Sequence, residues 1–178
     1  MPKQPTGPVF STILVLHILC FVVSFVSIAT SGIAAARARR RFYAEGTEGA
    51  EGAEWVRKYF SPGTNWGPRY IYGMPVFGTL LIVTSNGYYS FGDVFVIVGM
   101  AMWVIAVVGI EAVLLPVEKK LQREMASHWA DSLPVLIGGS DTAQESLELD
   151  RTARRVSITA LILDAVLIGT AVVMTAKP

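Results

Sequence analysis

The sequence predicts an all-α integral membrane protein: a single bundle of four transmembrane helices with both termini outside the cytoplasm. Of its 178 residues, 52% are hydrophobic and only 16% are charged, against roughly 25% charged residues in soluble domains. The polar residues gather in a few blocks between long apolar runs, which is the pattern of a membrane protein. Backbone amides in lipid must bond within their own segment, and the runs lack the alternation of membrane strands, so the sequence predicts helices.

Four apolar runs are long enough to cross a membrane as helices. About 20 apolar residues span the roughly 30 Å of hydrocarbon in a bilayer. The predicted spans cover residues 9–33, 66–85, 92–115 and 156–175. The turn SNGYYSFGD between the second and third spans is short, so these two helices are expected to be antiparallel neighbours.

The basic residues lie almost entirely between the spans. All 15 Lys and Arg residues except Lys3 and Lys177 fall between positions 37 and 155. The positive-inside rule therefore places segments 36–65 and 117–154 in the cytoplasm and both termini outside it. Because the Arg cluster follows the first span instead of preceding it, that span is expected to stay in place and not to act as a cleaved signal peptide.

The first cytoplasmic segment carries a regular acidic pattern. Glu45, Glu48, Glu51 and Glu54 recur every third residue, with Gly between most of them. Short charge runs of this kind are typical of a solvated hairpin. A metal-binding acidic loop is the alternative, although the spacing differs from that of a calcium loop.

The second cytoplasmic segment carries two helix signals. Leu121, Met125 and Trp129 follow a helical spacing, so the third helix is expected to continue past the membrane with one apolar stripe. Such a stripe can lie on the membrane surface or contact a partner protein. Asp141 and Gln144 match a capping box and predict the start of the last helix.

Ionisable residues within the spans are the candidate functional residues, since a charge in a bilayer is costly and faces the bundle or a partner. His17 and Asp164 each lie ~13 Å from opposite membrane faces, so a hydrogen bond between them is possible if their helices touch. Asp164 would then either join two helices or carry protons. Glu111 and Arg69 lie toward the cytoplasmic side of neighbouring helices, which predicts an ion pair. Glu118, seven residues further on the same face, is the alternative partner for Arg69.

A polar stripe on the first span contains the candidate cofactor ligands. His17 and Cys20 lie one helical turn apart, and the stripe continues through Ser24, Ser27 and Ser31. This pattern fits a soft metal or haem site, with haem or copper as the possible cofactor. It also fits helix packing, in which small residues allow close approach and His and Ser hydrogen-bond across the interface. Thioether ligands for copper could come from Met74, Met100 and Met102.

Three short motifs give the chain a family resemblance: LVLHIL in the first span, LLPVEKKLQRE after the third, and VVMTAKP at the end. In these it resembles an uncharacterised family of four-span bacterial integral membrane proteins, distantly similar to the copper-resistance D-type membrane proteins. The resemblance implies a location in the bacterial cytoplasmic (inner) membrane. It also implies that His17 is the residue that could inherit haem or copper binding.

The sequence favours a non-catalytic accessory or assembly subunit of a larger integral membrane complex, with a respiratory (electron-transfer) complex as the first candidate. Polar and small-residue faces on more than one helix predict contacts with other integral membrane subunits, and the apolar surface predicts contact with lipid. A net charge of +1 gives no signal for nucleic-acid binding, and the sequence contains neither a phosphate-binding loop nor a nucleophile elbow. Two alternatives remain open: a haem- or copper-binding protein that uses His17, and a proton-coupled transporter that uses Asp164.

Overall fold

The regular structure of this chain is helical throughout the part that the computed structural model describes, so the predicted all-α fold class is confirmed. The Glu-rich segment 45–54 and residues 132–140 lie outside the described residues. The described residues are 5, 7–42, 56, 58–61, 65–131 and 141–175, with side chains at 5, 7–39, 56, 58–61, 65–126 and 147–175.

Long helices dominate the described residues. Three stretches are long and apolar enough to cross a membrane, namely Pro8–Arg39, Val94–Ala126 and Leu147–Thr175. They identify the chain as a helical membrane protein. In chain order the elements are α1 (Pro8–Phe42), a 3₁₀ helix (Gly67–Tyr72), α2 (Gly73–Thr84), α3 (Val94–Gly109), a π-helical turn (Ile110–Leu114), α4 (Leu115–Asp131) and α5 (Asp141–Thr175).

The helices run well past the apolar runs that predict them. α1 continues through the basic cluster to Phe42, and α5 begins at Asp141, ahead of the predicted span. The added residues are mainly Ala, Arg, Glu and Leu, which are strong helix formers. Apolar length therefore sets the membrane span, whereas helix propensity allows the helix to continue beyond it.

The predicted second span, residues 66–85, is divided into the 3₁₀ helix and α2. Pro75 has no backbone N–H, so the carbonyl of Ile71 cannot receive the usual helical hydrogen bond from it. The indole of Trp103 on α3 supplies a donor, because its Nε1–H donates to the Ile71 carbonyl oxygen at 2.9 Å. A side chain of α3 thereby joins the two helical segments at the point where the proline interrupts the backbone pattern.

Because the Trp103 indole donates where Pro75 cannot, substitutions at positions 75 and 103 are expected to affect stability in a coupled way. Trp103→Phe is expected to destabilise the chain by about 1 kcal/mol, because the Ile71 carbonyl loses a donor. In a Pro75→Ala background the same substitution should have a smaller effect, since residue 75 then has an N–H of its own. Thermal unfolding of the four proteins in detergent measures this coupling, and equal effects of Trp103→Phe in both backgrounds would contradict it.

The first of two compact units comprises the residues up to Ile28, Asn65–Ile110, and the residues from Leu163 onward. Several of its helix contacts are made at glycines. A Cβ placed on Gly73 would lie 2.5 Å from Cys20 Sγ, and one on Gly109 would lie 2.6 Å from Leu163 Cδ2. Small residues thus bring α1 close to α2 and α3 close to α5, as expected for helices that pack within a membrane.

The second unit comprises Ala29–Thr64 and Glu111–Ile162. Within it, the Ser157 hydroxyl donates to the Gly32 carbonyl oxygen at 3.1 Å. Leu121 and Met125 are fully buried here. The expectation that their stripe lies on the membrane surface or contacts a partner is therefore wrong for these two residues, because the same chain covers them. The side chain of Trp129 lies outside the described residues.

Polar contacts of the second unit involve the end of the predicted stripe on α1. The Ser31 hydroxyl lies 2.5 Å from the Tyr59 hydroxyl and 3.5 Å from Glu118 Oε1. Further along, Arg39 Nε donates to Asp150 Oδ1 at 2.7 Å. Within this unit the inward face of α1 therefore has polar contacts at Ser31 and Arg39, with the buried residues Ala34, Ala35 and Ala38 between them.

Candidate functional site

A cavity of about 280 Å³ lies within the first unit, between residues of α1, α2, α3 and α5. Its lining is apolar for the most part and rich in aromatic rings. His17 is the only basic side chain among the lining residues that the structure describes. The aromatic lining residues are Phe10, Tyr89, Phe91, Phe95 and Trp103.

The imidazole of His17 is oriented by the backbone of α2. Its Nδ1 lies 3.0 Å from the carbonyl oxygen of Met74. A carbonyl oxygen only accepts hydrogen bonds, so Nδ1 carries the proton, and Nε2 of the neutral ring is then an acceptor. Gly78 leaves room for the ring, because a Cβ at that position would lie 3.4 Å from His17 Cε1.

Cys20 has different surroundings from His17, although the two lie one turn apart. Cys20 is buried, and its Sγ packs against the backbone of Gly73. It is not among the residues that line the cavity. The candidate ligand pair of the sequence is thus divided: His17 borders the cavity, and Cys20 fills the contact between α1 and α2.

Of the three methionines predicted as copper ligands, two line the same cavity as His17 and one does not. Met74 and Met100 line the cavity, and Met174 of α5 joins them. Met102 lies elsewhere, with its Cε next to Gly169. Among the described residues, no group of three or more His, Cys, Asp and Glu side chains is placed to hold a metal ion.

Asp164 lies near the middle of the apolar stretch Leu147–Thr175, with its side chain half-buried. Its Oδ1 is buried and has no hydrogen-bond partner among the described residues. The hydrogen bond considered between His17 and Asp164 is not formed among the described residues, where His17 bonds through Nδ1 to the Met74 carbonyl oxygen. Asp164 is therefore a polar group in an apolar helix, and His17 does not supply the hydrogen bond that would offset the cost of burying it.

Arg69 and Glu111 lie at helical irregularities. Arg69 is in the 3₁₀ helix, and its guanidinium carbon lies 5.2 Å from the centroid of the Trp66 ring, within range of a cation–π interaction. Glu111 is in the π-helical turn Ile110–Leu114. Arg69 belongs to the first unit and Glu111 to the second, and their ion pair stays a prediction.

Trp103 is the residue of this site that the sequence analysis did not single out. Its indole N–H needs an acceptor within an apolar helix, and Pro75 leaves the Ile71 carbonyl without its usual donor. These two requirements, considered together, could have identified the contact. Met174 and Thr170 reach the cavity from α5 without any comparable signal.

Comparisons with protein-family models, curated proteins and solved structures find no match for this chain. The chemistry of the site therefore has to be derived from its own residues. Two features of the first unit invite a functional explanation: the carboxyl group of Asp164 and the cavity beside His17.

Proposed function

We propose that the chain is a non-catalytic accessory or assembly subunit of a larger integral membrane complex. The observation that carries this proposal is Asp164, a mid-span carboxyl group whose buried Oδ1 has no hydrogen-bond partner among the described residues. An unsatisfied polar group in hydrocarbon costs several kcal/mol. The side chain as a whole is only half-buried. A hydrogen-bond donor on a partner helix can therefore reach the accessible part of the carboxyl group and lower the penalty, as polar residues do between membrane helices.

The surface around Asp164 is open to such a partner. Leu161 and Ile168 lie about one turn before and after it on the same face of α5, and both are exposed in the isolated chain. The apolar side chains supply packing area, and the carboxyl group supplies a specific polar contact. Respiratory complexes are our first candidates for the assembly, since they carry many small membrane subunits that take no part in the chemistry.

The proposed topology has four spans, with both termini outside the cytoplasm of a bacterium. The 3₁₀ helix and α2 together reach roughly 30 Å at the usual rise per residue, which is the thickness of the hydrocarbon layer. The distribution of Lys and Arg supports the orientation. The resemblance to four-span bacterial membrane proteins supports the cytoplasmic (inner) membrane as the location.

Asp164→Leu is expected to release the chain from its complex. Tagged full-length protein, solubilised from native membranes in digitonin, should migrate on a native gel well above the 19.3 kDa chain with its detergent. The Leu variant should migrate as the free chain, because the partner's donor loses its acceptor. Asp164→Asn should keep the association, since an amide oxygen still accepts a hydrogen bond.

Ile168→Leu is the matched control, one turn further along the same exposed face. It should leave the migration unchanged. If the Asp164→Leu protein migrates with the wild type, the proposal fails. Proton-coupled flux in liposomes that is abolished by Asp164→Asn would instead favour the transporter alternative, because the amide cannot carry a proton.

A haem- or copper-binding protein is the second candidate. The observation in its favour is the hydrogen bond from His17 Nδ1 to the Met74 carbonyl, because metal-binding His side chains usually donate their other ring N–H to such an acceptor. Met74, Met100 and Met174 line the same cavity as His17. A Soret band or stoichiometric copper in the purified protein, lost on His17→Ala, would favour this candidate.

A further inference from the structure

The cavity beside His17 has the size of a small ring compound. An apolar cavity of about 150 Å³ is enough to bind benzene, and this one measures about 280 Å³. It can therefore hold one aromatic ring with short substituents. Lining residues Phe91 and Met100 are also exposed on the surface of the unit, so a ligand dissolved in the surrounding lipid can reach the cavity.

The lining favours an aromatic ring over an acyl chain. Phe10, Tyr89, Phe95 and Trp103 contribute aromatic rings to the lining, and aromatic pairs gain energy beyond the burial of their area. The thioether of Met74 is a further favourable contact for a ring, since sulfur packs well against aromatic edges. A saturated acyl chain would gain only the free energy of burying its apolar surface.

His17 adds one directional polar group to this apolar surface. Because Nδ1–H is engaged with the Met74 carbonyl, Nε2 of the neutral imidazole offers a lone pair and no hydrogen. His17 makes no other hydrogen bond with the described residues. A ligand that matches this acceptor must carry a donor, and a hydroxyl group on the ring is the smallest donor that remains soluble in lipid.

We propose that this cavity binds a lipid-soluble molecule whose head is a single hydroxylated aromatic ring, of the phenol or hydroquinone type. The ring lies among the aromatic side chains, and its hydroxyl donates a hydrogen bond to His17 Nε2. The corresponding quinone or methyl ether has only acceptors at that position and binds more weakly. This site does not depend on the proposed assembly role of Asp164.

The test uses two probes that differ at one ring position, where 4-ethylphenol carries a hydroxyl donor and 4-ethylanisole carries a methoxy group that can only accept. Each is titrated calorimetrically into the purified full-length protein in detergent at pH 8, where an imidazole of ordinary pKa is neutral, and the heat of protein-free micelles is subtracted. The phenol is expected to bind about tenfold more tightly than the ether, which is the effect of one hydrogen bond.

Two variants assign the preference to His17 and to the cavity. His17→Asn keeps an N–H close to the position of Nδ1 but lacks Nε2, so the two probes should bind with about equal affinity. Leu14→Trp fills the cavity from α1, one turn before His17, and should abolish binding of both probes. It leaves His17 in place, so the test stands even if the Asn variant does not fold.

Three results would overturn the proposal. Equal affinity for the phenol and the ether in the wild type would show an apolar cavity without a polar contact, as expected for an acyl chain. Saturable binding that survives Leu14→Trp would place the probes elsewhere. Purification with stoichiometric haem or copper bound through His17 would assign Nε2 to that cofactor instead.

Discussion

Gly32→Ala is expected to lower the free energy of unfolding by about 1–3 kcal/mol, the usual effect of overpacking. A Cβ on Gly32 would lie 2.9 Å from Ala160 Cβ. Both atoms are fixed to helix backbones, so neither can rotate away and the helices must separate. Separation also lengthens the hydrogen bond from the Ser157 hydroxyl to the Gly32 carbonyl oxygen, now 3.1 Å. The midpoint of thermal unfolding in detergent measures the effect.

The control for this prediction is the double variant that combines Gly32→Ala with Ala160→Gly. Gly32→Ala gains about 1 kcal/mol of helix propensity, and Ala160→Gly loses about the same amount. The double variant therefore differs from the wild type mainly in which helix carries the methyl group. It should be more stable than Gly32→Ala alone. If the double variant is no more stable than Gly32→Ala, the close approach of Gly32 and Ala160 does not determine the stability of the contact between α1 and α5.

The helices were predictable where an apolar run and a helix-forming sequence coincide. Such runs lie in α1, in α5 and in the stretch Val94–Ala126 that begins with α3, and each of these stretches is long enough to span. Hydropathy predicts the second span as one helix because its apolar content is continuous, and Pro75 with Gly73 and Gly78 predicts a kink or close contact within it. Its division at Gly73 follows from the missing N–H of Pro75, a local backbone effect to which hydropathy is insensitive.

The inward face of α1 was also predictable, but its contacts were not. The spacing of His17, Cys20, Ser24 and Ser31 predicts one face, and Cys20, Ser24 and Ser31 are buried. What each residue meets depends on the other helices. The Met74 carbonyl that binds His17 belongs to the backbone, and a backbone carbonyl has no signature in the sequence. The sequence therefore indicates only a side-chain partner for His17, Asp164, and not the backbone carbonyl.

The cavity could not be predicted for a related reason. It is defined by space left between helices and by lining residues that are distant in the sequence. Small residues in a membrane helix usually indicate close packing. Only the structure distinguishes a glycine covered by a neighbouring helix from one that borders a cavity.

Gly73→Ala is expected to destabilise the chain by about 1–3 kcal/mol, and Cys20→Ala is expected to relieve most of that loss. The added Cβ would lie 2.5 Å from Cys20 Sγ but 3.4 Å from Cys20 Cβ. Removal of the sulfur thus turns a clash into a close but ordinary contact. Unfolding midpoints of the wild type, both single variants and the double variant give the coupling energy of the pair.

This cycle also separates the two interpretations of Cys20. If Cys20 serves packing, as its contact with Gly73 indicates, the double variant should approach the stability of Cys20→Ala alone. Cys20→Ala should also leave the preference of the cavity for 4-ethylphenol unchanged, because Cys20 does not line the cavity. A cofactor ligand would behave differently: its removal would abolish the cofactor whatever residue stands at position 73. Purely additive single effects would contradict the packing interpretation, since residues in direct contact are expected to couple.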